Sequence, residues 1–178
     1  VWLETTDKLH VEQWGTYITT PKVTADKASV NIETTIKNQN SVSKNAIVTT
    51  TIFKNDTKVT SVTQNIAIAA NANQVLNQNV LVNNPVLWSD EKPEQYTAVT
   101  TISLDSKIVD EYKTDFGIRY FKFDLNKGFL LNGKQVKIKG VCMHHDLGPL
   151  GSAINSRAVV RQLEILKEMG VNGIRTSH

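Results

Sequence analysis

His144 and His178 are the residues of this chain whose type and position best suit chemistry. Each closes a short run of β character, at residues 137–143 and 173–177, and residues 156–169 between those runs have helical spacing. Strand, helix and strand in that order form a βαβ unit, whose right-handed crossover lays the two strands side by side and parallel. In parallel α/β arrangements the binding and reacting groups gather at the C-terminal strand ends. Both imidazoles are therefore expected on one rim. Arg175, three residues before His178, is placed to reach a carboxylate at the floor of such a site, and Asp146 sets an acidic group close to His144.

Other chemistries are less well served by the same residues. His144, His145, Asp146 and His178 are all suitable metal ligands, but neighbouring strand residues point to opposite faces, so no metal site is assigned. Cys142 lies between Val141 and Met143, where a buried thiol acting as a small hydrophobe is expected instead of a nucleophile. Residues 147–154, LGPLGSAI, make a long βα loop without a phosphate-binding GxGxxG or GK[ST] pattern, and are read as the rim of a substrate site. No cofactor is expected in this chain.

The elements that must hold these residues are well marked. Asn155 or Ser156 can cap the helix; Val159, Leu163, Leu166 and Met169 line one face, and Gly170 follows its last turn. Upstream, Asn132-Gly133 between two extended runs is a strong hairpin signal. Residues 14–120 read differently, as about seven short strands rich in Thr, Val and Ile with regular turns between them. Residues 29–37 alternate Val30, Ile32, Thr34 and Ile36 with polar neighbours, as a half-buried strand does. A first strand is placed at 17–23, where Pro21 suits a sheet edge. This pattern predicts an immunoglobulin-like antiparallel β-sandwich.

Composition narrows the function classes. The chain has 178 residues, a formal net charge of +3, 40% apolar and 21% charged residues. Its basic residues are scattered and no aromatic-basic stripe exists, which leaves no nucleic-acid footprint. No stretch approaches the roughly 18 apolar residues of a membrane-spanning helix. One cysteine rules out an internal disulfide framework, and the compartment stays open.

Residues 129–146, FLLNGKQVKIKGVCMHHD, followed after the helix by NGIRTSH at 172–178, closely resemble the sandwich-to-barrel junction of glycoside hydrolase family 2, best known for β-galactosidases. Trp88-Ser89 before Pro93 and Tyr96, and FGIR at 116–119, are similar to that family's immunoglobulin-like domain, and VWLETTD at the start to the last strand of its jelly roll. The resemblance implies a mainly β fragment in three parts: 1–13 as the end of a jelly roll, 14–120 as the sandwich, and 121–178 as the incomplete start of a (β/α)8 barrel. It implies that His144 and His178 line a sugar subsite and that Arg175 lies near the nucleophile; Asp146, close to His144, is placed in the same substrate-binding set. Such enzymes retain anomeric configuration with two glutamates roughly 5 Å apart. The resemblance puts both beyond this chain, which holds no catalytic residue and is expected to be inactive alone.

Cys142-Met143 and His145-Asp146 depart from the lactose-hydrolysing pattern, so the sugar stays open between β-galactosides and related glycosides. The alternative is a non-catalytic sandwich that binds carbohydrate or packs between domains. The apolar helix face, made to cover a strand layer largely outside this chain, is expected to pack on the sandwich or on a second copy, giving a route to self-association.

Overall fold

The computed structural model describes residues 3–144 and 146–177. They fall into two compact units, Val1–Phe121 and Lys122–His178. The first is built from seven antiparallel strands: β1 (Leu9–Val23), β2 (Lys27–Asn38), β3 (Lys44–Lys54), β4 (Thr57–Ile68), β5 (Ala72–Asn83), β6 (Tyr96–Leu104) and β7 (Lys107–Phe116). They form two sheets, ordered β1-β2-β5 and β4-β3-β6-β7, whose inner faces make the core. This is the immunoglobulin-like sandwich expected.

Alternation decides which residues enter that core. In β2, Val30, Ile32, Thr34 and Ile36 are fully buried while Asn31, Glu33, Thr35 and Lys37 stay partly exposed. One apolar cluster gathers Val30 and Ile32 with Ile52, Val80, Val82, Tyr96 and Ile118; a second gathers Leu9, Val11 and Ile36 with Val48, Ile68, Leu76 and Ile102. Thr50, Gln78 and Thr100 form a buried polar bridge across the sandwich. The Thr50 hydroxyl lies 2.7 Å from Gln78 Oε1 and 3.0 Å from Thr100 Oγ1, and Gln78 Nε2 donates to the Val48 carbonyl at 3.2 Å. Three tight hairpins place both central residues at positive φ, as type I′ turns require: Asn55-Asp56, Asp105-Ser106 and Asn132-Gly133.

The first strand corrects the expected boundaries. β1 begins at Leu9, not at residue 17, and Leu9 and Val11 are buried in the core, so residues 9–13 belong to the sandwich. Residues 3–8 precede it as exposed chain, and residues 1 and 2 lie outside the described residues. The reason is a bulge. Pairing with β2 shifts register between Val11 and Thr16, where Trp14 adopts φ 55° and a Cβ on Gly15 would meet the Glu12 carbonyl at 2.7 Å. That irregularity breaks the period-2 pattern and makes one strand read as two segments. Pro21 falls in a second shift, between Thr19 and Lys22, on an edge strand as expected.

In the second part of the chain β8 (Phe121–Asp124), β9 (Gly128–Leu131) and β10 (Lys134–Gln135) form a small sheet. The Asp124 carboxylate accepts from the Asn126 and Lys127 amides at 3.0 and 3.1 Å, and these bonds hold its pKa below the ordinary value. Then come β11 (Gly140–Met143), α1 (Ser156–Glu168) and β12 (Gly173–Thr176). β11 and β12 pair in parallel, Gly140 with Gly173 through Met143 with Thr176. The sandwich followed by the opening of a barrel is thus the fold predicted.

Candidate functional site

The Asn155 side chain accepts from the Ala158 amide at 3.1 Å and starts α1, and Gly170, at φ 82°, turns the chain back toward β12. Asn172 then fastens the two strands. Its Oδ1 accepts from the Lys139 amide at 2.8 Å and its Nδ2 donates to the Lys137 carbonyl at 3.2 Å. These side-chain bonds add to the bond of the Asn172 amide to the Lys139 carbonyl at 3.1 Å, and β11 starts at Gly140, later than the residue 137 expected.

Parallel pairing sorts the side chains onto two faces. Val141 and Met143 line a cleft of about 340 Å³ together with Gln162, Ile165 and Leu166 of α1. Cys142, opposite Arg175, alternates with them and is more exposed, although it too borders the cleft. In a closed barrel the helix-side face packs on the helix layer and the other faces the interior. Cys142 is exposed, which corrects the expectation of a buried thiol. The alternation that half-covers Val141 and Met143 leaves Cys142 between them exposed.

His144 follows β11 directly and is exposed, and Ser177, which follows β12, donates its amide to the Met143 carbonyl at 3.1 Å. The C-terminal ends of the two strands are therefore level, as a shared rim requires. Asp146 is exposed on the same loop, with Oδ1 accepting from the Gly148 amide at 2.9 Å. That bond opens a 3-10 turn, Gly148–Leu150, inside the long rim loop. His144 and Asp146 both border the cleft, whereas Arg175 lies in β12 opposite Cys142, on the face away from α1. His178 and His145 lie outside the described residues. Among the described residues no group of three or more His, Cys, Asp or Glu is arranged to hold a metal ion.

The helix face differs from expectation. Ala158, Val159, Gln162 and Leu166 are its partly covered residues, while Leu163 and Met169, expected on that face, are exposed, as are Val160 and Ile165. Gln162 was missed as a cleft residue, and its Oε1 is buried without a hydrogen bond. A polar residue one turn from Val159 and Leu166 was the available signal. The arrangement can present an imidazole, a carboxylate and a guanidinium around the C-terminal ends of parallel strands, a set suited to hydrogen-bonding polyhydroxylated ligands.

Comparison with known proteins gives this geometry a context. Residues 9–119 match the model of the glycosyl hydrolases family 2, and residues 124–178 that of the TIM barrel domain of the same family. The chain is 45% identical to beta-galactosidase BoGH2A of Bacteroides ovatus over all of its own length and 21% of that protein. It is 30% identical to a beta-glucuronidase of Formosa agariphila, again over its full length and 19% of the relative. A solved family 2 structure from Bacteroides cellulosilyticus superposes with a TM-score of 0.92 at 38% identity, covering 97% of this chain and 24% of that one. The chain thus spans about a fifth of the length of the curated relatives it matches.

Proposed function

The chain belongs to glycosyl hydrolase family 2, and from that premise we propose that it serves an O-glycosyl hydrolase acting on β-galactosides or related glycosides. In this reading residues 9–119 are a structural sandwich and residues 124–178 contribute the first wall of a sugar subsite. The observation that carries it is the parallel β11–α1–β12 unit with His144 and Asp146 after β11 and Arg175 on the face away from the helix. His144 and Asp146 hydrogen-bond sugar hydroxyls, and the Arg175 guanidinium holds a carboxylate of the reaction centre in its ionised, nucleophilic form. His178 is assigned to the same set by its place in the sequence alone.

A retaining mechanism needs a nucleophile and an acid/base carboxylate roughly 5 Å apart, and neither role is assigned to a residue of this chain. Incubating the 178-residue chain with aryl β-galactoside and aryl β-glucuronide is therefore expected to release no aglycone above background. Measurable turnover would show that the reacting carboxylates are present after all. In a polypeptide carrying the whole barrel, Arg175→Ala is expected to lower kcat/KM by about a hundredfold or more, as loss of a group bound to the reaction centre does. An unchanged value would remove Arg175 from the site.

The exposed Leu163, Ile165 and Met169 side chains also support self-association of the chain through α1. Light scattering that finds a monomer at all concentrations would end that part of the reading.

A further inference from the structure

The sandwich carries a second hollow, of about 490 Å³, bordered by Tyr17, Thr20, Pro21, Arg119, Tyr120 and Phe121. It opens where β1 leaves its ladder. Its border takes in the register shift between Thr19 and Lys22, where Pro21, with no amide hydrogen to donate, interrupts the ladder with β2.

The rim of this hollow is pre-organised. The Arg119 guanidinium stacks on the Trp88 ring at 4.9 Å, and the Thr20 hydroxyl donates to the Arg119 carbonyl at 2.8 Å. The Trp88 amide donates to the Ile118 carbonyl at 2.9 Å, and Trp88 packs so tightly over Gly117 that an added Cβ would lie 2.9 Å from it. Among the described residues no carboxylate pairs with Arg119, and the hollow it borders is also bordered by aromatic rings that remain 65% (Tyr17), 40% (Tyr120) and 61% (Phe121) exposed.

We propose that this hollow binds an acidic saccharide, its carboxylate on Arg119 and the C–H face of its ring against the exposed aromatics. A planar guanidinium takes a carboxylate through two parallel hydrogen bonds, and aromatic side chains supply rigid contact area with little entropy to lose. The hollow is built from residues of the first unit alone and does not depend on the glycosidase reading. Tyrosine hydroxyls and the Thr20 hydroxyl at the border suit a ligand with many hydroxyls.

The test is a nuclear magnetic resonance titration of the whole chain with a disaccharide ending in glucuronic acid, set against its neutral counterpart ending in glucose. Saturable shifts at Tyr17, Arg119 and Tyr120 are expected with the acid, and binding at least about tenfold weaker with the neutral sugar, the loss of one charge-assisted pair. Arg119→Gln should weaken the acid to the neutral level, with a change at the exposed Lys107, Lys107→Gln, leaving it unchanged. Equal affinity of acid and neutral sugar, an Arg119→Gln variant that binds as before, equal loss in Lys107→Gln, or tighter binding of a nucleoside monophosphate would each overturn the proposal. None of these outcomes bears on whether the chain hydrolyses glycosides.

Discussion

Thr50 sits where a sandwich core is usually apolar, and its hydroxyl bonds Gln78 of the other sheet and Thr100 of the neighbouring strand. Gln78 is 2% exposed, so its amide has no water to fall back on. A buried polar group that loses its partner costs the full desolvation penalty. Thr50→Val is therefore expected to destabilise the sandwich by about 1–3 kcal/mol. The same change at Thr49, whose hydroxyl meets Thr63 at an exposed site, should move the melting temperature far less. Equal shifts in the two variants would show that the bridge is not a source of stability. Residue identity alone placed Thr50 on a strand, but not opposite Gln78. The two lie on different sheets, and partners across a sandwich leave no mark in local spacing.

At the scale of elements, strands with regular alternation were legible and irregular ones were not. β2 and β6 follow the period-2 rule and appear where expected. The bulge at residues 12–15 and the Pro21 irregularity hid the length of β1. The turn from β7 into the next unit depends on a close approach between Trp88 and Gly117, distant in sequence. Gly117→Ala places a methyl 2.9 Å from Trp88 Cβ, Cγ and Cδ1, atoms near the backbone that cannot swing clear. Overpacking of this kind costs about 1–3 kcal/mol. A lowered melting temperature with altered Trp88 fluorescence is the expected result, and a wild-type melting curve would mean the segment relaxes freely. The helix was legible in extent but not in orientation: Asn155 and Gly170 mark its ends by local chemistry, whereas its covered face depends on which strands lie beneath it.

For the whole molecule, the two units differ sharply in what they bury. Nearly all the buried apolar residues lie in the sandwich; Leu131 is the one such residue after Phe121 among those described, and α1 has no buried residue. Local stability follows buried apolar contact and shielded backbone bonds. Urea should therefore unfold the second unit first. The helix lies after residue 121 and all three tryptophans before it, so loss of helical circular dichroism at lower urea than the change in tryptophan fluorescence is the expected signature. Coincident transitions would show one cooperative unit instead. The sequence by itself determined the sandwich, the Asn-Gly hairpin and the strand–helix–strand unit. These depend on periodicity, caps and turn residues, which act over a few neighbours. Only the tertiary structure decided that Leu9 and Val11 belong to the sandwich core, that Cys142 is exposed, and that Asn172 ties the two barrel strands together. Each of those outcomes depends on a partner distant in sequence, and the geometry of such a meeting exists only once the chain has folded.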